Sequence, residues 1–296
     1  MHVNVMTSMM FASISGSAVA GAAVVGSVVG RSMVEKGISP QYTGALTAAA
    51  AVVGPIIPPS IPMIVYAVMT QQSIGKLFVA GFVPGVLIGL VLMAYSYVVA
   101  IRRGYARGAP FSLSRVILSG RRAFVALLAP VIIIGGILGG VFTATEAGAI
   151  AVAYSFVIGK FVLKELSWGG FYLALVRASR ASALVLVVVG ASSVMAWVIA
   201  DQKIASQVSE IIFSISTRPW VVLLMINVFL LIIGLFLDAM ASIIILTPIF
   251  APIALLIGVD PTHFGIIMIF NLLIGLLAVI TYVPGLVMFI PNMFYD

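Results

Sequence analysis

Apolar stretches of membrane-spanning length alternate with short polar stretches along almost the whole chain. A helix needs about 20 apolar residues to cross the hydrocarbon core of a bilayer. On that criterion the pattern predicts membrane segments at 17–34, 42–70, 77–101, 123–142, 145–163, 181–200, 220–237, 238–257 and 263–290. Two regions are irregular. A cluster of Gly and Pro at 54–62 interrupts the second segment, and 220–257, too long for one helix, carries Asp238 near its middle.

The composition supports an all-α integral membrane protein. Of 296 residues, 63% are hydrophobic and only 8% are charged, against about 25% charged in an average soluble domain. This excludes a soluble enzyme, a nucleic-acid-binding module and a disordered chain. With no Cys and two His, the chain also lacks the bases and ligands of an intramembrane serine or metal protease. We therefore expect no enzyme and no nucleic-acid partner, and a lipid bilayer around the protein.

The positive charges predict an orientation, because Lys and Arg accumulate in cytoplasmic loops. The most basic loop, 102–122, is placed in the cytoplasm. If 17–34 and 220–257 are re-entrant, every Lys and Arg except Lys76, Lys203 and Arg218 then lies on the cytoplasmic side. The stretch 165–180 is interpreted as an interfacial helix on that side or as an ordinary loop.

An internal repeat relates the two ends of the chain. Residues 17–54 align without a gap to residues 238–275. The alignment superposes Gly37 on Gly258, Pro40 on Pro261 and Gly54 on Gly275. With the orientation above the two units are inverted, which is a design of secondary transporters. The Pro58-Pro59 break of the first unit does not recur in the second, where Val279 and Ile280 stand.

Six sequence strings resemble the large membrane subunit of TRAP transporters, the tripartite ATP-independent periplasmic carriers. In chain order they are SISGSAVA at 13–20, GPIIPPSIP at 54–62, SIGKLFVAG at 73–81, GVFTATEA at 140–147, LTP at 246–248 and GVDPTHFG at 258–265. The resemblance implies an inverted-repeat elevator transporter with re-entrant hairpins and discontinuous helices. It implies Na⁺ as coupling ion, with no other cofactor, and a location in the bacterial inner membrane.

The resemblance also implies partners and a cargo. The partners would be the small membrane subunit of the same transporter and a periplasmic substrate-binding protein. The cargo would be a small organic anion, such as a C4-dicarboxylate, a sialic or sugar acid, or a keto acid. On this basis we divide the chain into a first repeat core at 1–76, scaffold and arm helices at 77–219, and a second repeat core at 220–296.

The chain departs from the family pattern at two places. Residues 15–20 resemble the tip and second arm of the inner hairpin, so we expect its first arm to be absent and the family's N-terminal part to be truncated. The sequence after Leu277 resembles the family's closing helix, which predicts a deletion near 277/278. Two alternatives therefore stay open: a transport-inactive fragment of such a subunit, or a related Na⁺-coupled elevator carrier that works without a binding protein.

The residues expected to bind substrate or Na⁺ lie at hairpin tips and helix breaks. They are Ser15, Gly16, Ser17, Gly54, Pro55, Pro58, Pro59, Ser60, Asp238, Thr247, Asn271 and Gly275. Each has a structural alternative: a kink at the Pro cluster, helix packing for the serines, an N-cap for Asp238, a bend at Thr247-Pro248, and an interhelical bond for Asn271. We expect Glu146 to cap a helix near Thr143 or Thr145, and His263 to be an interfacial residue.

Overall fold

The computed structural model describes residues 1–105 and 112–282. This part of the chain is all helical. In chain order the helices are α1 (His2–Ser15), α2 (Ala18–Glu35), α3 (Pro40–Ala51), α4 (Ile61–Thr70), α5 (Ile74–Arg102), α6 (Leu113–Leu138), α7 (Ala144–Val162), α8 (Trp168–Asp201), α9 (Ile204–Ile215), α10 (Pro219–Gly234), α11 (Ala239–Leu256) and α12 (Pro261–Tyr282).

Large apolar side chains cover the outer surface of the molecule. Five helices in the described ranges, α2, α5, α7, α8 and α11, are long and apolar enough to cross a membrane. On α8, Leu184 is 71% exposed and Trp197 is 67% exposed. Water would oppose such a surface, whereas lipid tails accept it without cost. The all-α membrane fold expected from composition is therefore confirmed, and the protein is a multi-pass membrane protein.

Two hydrophobic cores organise the helices. The larger joins α4, α10, α11 and α12 around the fully buried Tyr66, Phe264 and Met268. The smaller joins α1, α2 and α3 around Val5 and Leu46. Helix α5 packs against α1 on one side and α12 on the other, so it connects the two cores.

The first hairpin has two arms. Helix α1 packs against α2 and α3, so the prediction that this hairpin lacks its first arm is wrong. The 14 residues of α1 span about 21 Å and mix Asn, Thr and Ser with Met and Val. Such a short, mixed helix is below the length and hydropathy by which membrane segments are recognised.

Helix α8 also differs from the prediction. Residues 165–180 form neither a separate interfacial helix nor a loop, because one continuous helix runs from Trp168 to Asp201. At 34 residues it is about 51 Å long, well beyond the thickness of a hydrocarbon core. The aromatic and basic residues at its start indicated a helix at the membrane surface, but no Gly or Pro pair separates them from the apolar part.

The internal repeat extends to the helix ends. Helix α2 (18–35) and helix α11 (239–256) begin and end at equivalent positions of the alignment. Each begins after an N-cap, Ser17 or Asp238. Each is followed by a glycine in the left-handed region, Gly37 with φ +81° and Gly258 with φ +80°. The second arms of the two units therefore share their N-cap position, their length and the glycine that follows them.

Candidate functional site

The tip of the first hairpin is a three-residue turn built from small residues. Ser15 ends α1, and its hydroxyl bonds both the carbonyl and the N–H of Ser17, at 3.4 and 3.3 Å. Ser17 caps α2 by accepting the N–H of Ala20 at 3.4 Å. Gly16 between them has φ +60°, a conformation that glycine adopts without a steric penalty.

The break between α3 and α4 confirms the interruption predicted from the Pro cluster. Helix α3 ends at Ala51 and α4 begins at Ile61. Proline supplies no N–H donor, so Pro55, Pro58 and Pro59 cannot continue the helical ladder. Within the described residues, the carbonyls of 56–59 accept no backbone hydrogen bond. Backbone N–H groups therefore leave these four carbonyl oxygens without a donor.

Ser60 closes the break and starts the next helix. Its side chain is fully buried. The hydroxyl donates to the carbonyl of Pro55 and accepts the N–H of Met63 at 3.3 Å. Ser60 is thus the N-cap of α4, and its hydroxyl holds the two ends of the break together.

The hairpin tip lies directly on the break. A Cβ atom added to Gly16 would stand 2.6 Å from the carbonyl oxygen of Pro59, and one added to Gly54 would stand 3.3 Å from the carbonyl oxygen of Ser17. The backbones approach so closely that only glycine fits at Gly16. The structure therefore brings together the predicted residues of the first unit: Ser15, Gly16, Ser17, Gly54, Pro55, Pro58, Pro59 and Ser60.

This contact is rich in oxygen and free of charged side chains. The carbonyl oxygen of Pro59 lies against Gly16, and the carbonyl oxygen of Ser17 lies against Gly54. No group of three or more His, Cys, Asp or Glu that could hold a metal occurs in the part of the chain that the structure describes. Carbonyl oxygens of unwound helices are the ligands that transporters use for Na⁺, so the geometry suits a monovalent cation better than a transition metal.

The second hairpin, formed by α10 and α11, also has an N-cap residue at its tip. Its arms fold back on each other, with the rings of Phe229 and Phe250 5.3 Å apart. Asp238 is exposed and caps α11 through a bond of 2.9 Å from the N–H of Met240. The N-cap interpretation of Asp238 is confirmed.

Helix α12 differs from its counterpart α3, because it continues without a break to Tyr282. Positions 279 and 280, where the break would recur, lie within it. A Cβ atom added to Gly234, at the end of α10, would stand 3.2 Å from the carbonyl oxygen of Leu272 in α12. The second tip therefore contacts a continuous helix. Gly275 lies in the last part of α12, whose side-chain surroundings are outside the described residues.

Thr247 and Asn271 are buried or half-buried and bonded within the protein. The Thr247 hydroxyl bonds the carbonyl of Ile243 and the sulfur of Met268, and α11 is continuous there, so Thr247-Pro248 is not a break. The Asn271 amide donates to the side chain and the carbonyl of Asn227 in α10. Of the two alternatives for Asn271, the interhelical bond is the one observed.

Sequence reasoning missed the partner of Asn271 and a similar bond in the first unit. The amide of Asn4 in α1 donates to the hydroxyl of Thr47 in α3 at 2.8 Å, and Asn227 in α10 meets Asn271 in α12. In both units an amide side chain, buried in the first and half-buried in the second, thus joins the first hairpin arm to the helix that follows the hairpin. The sequence signal that could have revealed both bonds is a lone Asn in an apolar helix, because such a residue needs a hydrogen-bond partner.

Acidic residues stabilise two further helix starts, of which the one at Glu146 was predicted. Glu146 and Thr143 form a reciprocal capping box at the start of α7, with bonds of 2.8 and 3.3 Å, as expected. Asp260 accepts the N–H groups of Thr262 and His263 at 2.8 and 3.1 Å and lies 3.5 Å from the Lys76 ammonium. These backbone donors, the one from His263 first, lower the pKa of Asp260.

Comparison with known protein families identifies the chain. Residues 1–278 match the family model described as the tripartite ATP-independent periplasmic transporter, DctM component. The chain belongs to this family. Its relatives are permeases, so the expectation of a non-enzyme is confirmed.

Three relatives show the range of the family. The chain is 45% identical over 270 residues to the isethionate TRAP transporter permease protein DctMQ of Oleidesulfovibrio alaskensis, covering 91% of this chain and 42% of the relative. It is 39% identical to the sialic acid large permease SiaM of Vibrio cholerae (94% and 65% covered) and 39% identical to the C4-dicarboxylate large permease DctM of Pseudomonas aeruginosa (93% and 64% covered). The chain thus spans less than two thirds of each of these relatives.

Proposed function

We propose that the chain acts as the large permease subunit of a Na⁺-coupled, binding-protein-dependent transporter in the bacterial inner membrane. The observation that carries the proposal is the first hairpin tip lying on the break between α3 and α4. Carbonyls of 56–59 and the small tip residues Ser15, Gly16 and Ser17 supply neutral oxygen ligands in a helix-rich membrane protein. Na⁺ is the coupling ion for which such ligands are typical.

The cargo would be a small organic anion. The relatives are named for isethionate, sialic acid, C4-dicarboxylates and 2,3-diketo-L-gulonate, all of which carry an acidic group. We extend that class to this chain, together with the small membrane subunit and the periplasmic substrate-binding protein implied by a tripartite system. A lipid bilayer surrounds the assembly.

Uptake into proteoliposomes tests the proposal. The chain would be reconstituted with a small membrane subunit and a substrate-binding protein of a tripartite transporter, and uptake of radiolabelled isethionate, sialic acid and a C4-dicarboxylate would be measured under Na⁺ and K⁺ gradients. We expect uptake of one of these anions only with Na⁺ and only with the binding protein. Uptake that ignores Na⁺ would contradict the coupling.

Two outcomes would favour the alternatives. Na⁺-dependent uptake without the binding protein would indicate a carrier that works alone, and no uptake by a correctly folded chain would indicate an inactive fragment. The Gly16→Ala variant should lose uptake, because its methyl group would enter the contact with Pro59. Gly44→Ala is the matched control, since no atom lies within 4 Å of its added Cβ.

A further inference from the structure

A groove between α5, α6 and α12 has a polar mouth and an apolar body. Its volume is about 1020 Å³. At the mouth lie Lys76, in the first turn of α5, and Asp260 and His263, at the start of α12. The walls beyond the mouth are apolar and include Val79, Pro84, Ile137, Ile266, Ile267 and Phe270. The groove therefore has the two-part chemistry of a site for an amphiphile.

The groove follows its helices over a distance comparable to one lipid leaflet. Along α5 its lining extends from Lys76 to Pro84, which corresponds to about 12 Å of helix. Along α12 it extends from His263 to Phe270, about 10 Å. One leaflet contributes about 15 Å to the hydrocarbon core. A lipid with its headgroup at the mouth would thus lay most of an acyl chain against the apolar walls.

The charges at the mouth suit a headgroup that carries both signs. The Lys76 ammonium lies 3.5 Å from Oδ2 of Asp260, and the two side chains are 60% and 53% exposed. An ammonium has three N–H donors, so Lys76 can bind a phosphate while it keeps this ion pair. Oδ2 of Asp260 can accept a further donor, since its Oδ1 is the atom that binds the N–H groups of Thr262 and His263. Because the charges of the pair cancel, the mouth favours a zwitterionic headgroup over an anionic one.

A buried hydroxyl inside the groove needs an acceptor or donor from a ligand. Thr262 lines the groove and is only 4% exposed. Its hydroxyl has no hydrogen-bond partner in the described residues. A buried hydroxyl without a partner is unfavourable. The ester carbonyls of a glycerophospholipid lie between its headgroup and its chains, and one of them would accept this hydroxyl.

We propose that the groove between α5, α6 and α12 binds a phosphatidylethanolamine molecule of the surrounding bilayer. Lys76 binds its phosphate, Asp260 its ammonium and Thr262 an ester carbonyl, and one acyl chain lies along the apolar walls. Phosphatidylcholine fits less well, because its trimethylammonium has no N–H to donate to Asp260. The site is separate from the hairpin tip and the helix break, so the proposal does not depend on Na⁺ coupling.

Native mass spectrometry of the full chain tests the proposal. Phosphatidylethanolamine, phosphatidylcholine and phosphatidylglycerol would be added in equal amounts in mixed micelles, and we expect several-fold higher retention of the first. Val79→Trp should lower that retention several-fold, because the ring would fill the groove. Val83→Trp is the matched control, since both valines are exposed on α5, at 55% and 62%, and only Val79 lines the groove.

Two substitutions test the recognition of the headgroup and the ester. Lys76→Gln removes the cation, and Thr262→Val removes the hydroxyl while keeping the shape of the side chain. Each should lower the retention of phosphatidylethanolamine several-fold. Lys203→Gln is the control for charge, because Lys203 is an exposed lysine outside the groove lining.

Photo-cross-linking in nanodiscs gives a second measurement, which needs no detergent. Phosphatidylethanolamine with a diazirine in its acyl chain should label residues 74–84 and 261–270 more than the lipid-exposed surface of α8. Equal labelling of these regions would overturn the proposal, as would equal retention of the three lipids or equal effects of Val79→Trp and Val83→Trp. Displacement of the lipid by succinate would also overturn it, because the mouth would then bind a small organic anion instead.

Discussion

At the scale of single residues, the first hairpin depends on glycines whose added Cβ atoms would meet backbone. Gly16 has a positive φ, and its added Cβ would stand 2.6 Å from the carbonyl oxygen of Pro59. The added Cβ of Gly54 would stand 3.3 Å from the carbonyl oxygen of Ser17 in the tip. Neither carbonyl can move as a flexible side chain could. These two residues therefore determine how closely the tip and the break approach.

The first prediction follows from this contact. Gly16→Ala should destabilise the protein by about 1–3 kcal/mol, the cost of a non-glycine residue in an unfavourable backbone region. Gly44→Ala, in the open part of α3, should be neutral or stabilising by up to about 1 kcal/mol. Thermal unfolding in lipid nanodiscs measures both. Equal stability of the two variants would show that the tip does not lie on Pro59.

A second prediction concerns the amide pair Asn227 and Asn271. Buried polar pairs between membrane helices contribute about 0.6 kcal/mol on average and up to about 1.7. A double-mutant cycle with Asn227→Ala and Asn271→Ala, read by equilibrium unfolding in mixed micelles, should give a positive coupling energy in that range. Additive effects of the two substitutions would mean that the amides do not stabilise each other.

At the scale of the helix, caps were more predictable than lengths. Thr143 and Asp238 cap helices as predicted, because a cap needs only local chemistry. Ser17 and Ser60 also cap helices, although they were predicted only as site or packing residues. The length of α8 and the existence of α1 were mispredicted. Both depend on whether neighbouring helices support a segment, which hydropathy along the chain does not report.

The cap at Asp238 gives a third prediction. Asn keeps the oxygen that accepts the N–H of Met240, whereas Ala removes it. Asp238→Ala should therefore cost about 0.5–2 kcal/mol of stability, and Asp238→Asn should cost little. If Asp238→Asn nonetheless abolished Na⁺-dependent uptake while folding normally, the carboxylate would have a role in ion binding beyond the cap.

The cap at Asp260 gives a fourth prediction, on pH. Its pKa is lowered in the folded protein, first by the N–H of His263 and then by Thr262 and Lys76. A carboxylate with a lowered folded pKa stabilises the protein above its unfolded pKa, about 3.9, and this contribution is lost as the pH falls through the folded pKa. The difference in stability between the natural protein and Asp260→Asn should therefore shrink below about pH 4. If this difference in stability stays constant from pH 6 down to acidic pH, the pKa of Asp260 does not change on folding.

At the scale of the whole molecule, the sequence alone predicted the helical membrane class, the repeat and the break. It did not predict that Gly16 lies against Pro59 and Gly54 against Ser17, because no spacing rule relates a turn at 16 to a break that begins 38 positions later. The pairing of Asn227 with Asn271 was not predicted either, because no spacing rule relates the two residues. Single residue types determine helix caps, breaks and turns, whereas packing between helices determines which of these come together in a site.

The central claim is that the tip and the break of the first repeat form a Na⁺ site. A ligand that binds only the folded state raises its stability with concentration. Thermal unfolding of the reconstituted chain should therefore shift upward in Na⁺ relative to K⁺ at equal ionic strength, and Gly54→Ala should lose this shift while Gly44→Ala keeps it. Identical unfolding midpoints in Na⁺ and K⁺ for the natural chain would contradict the account.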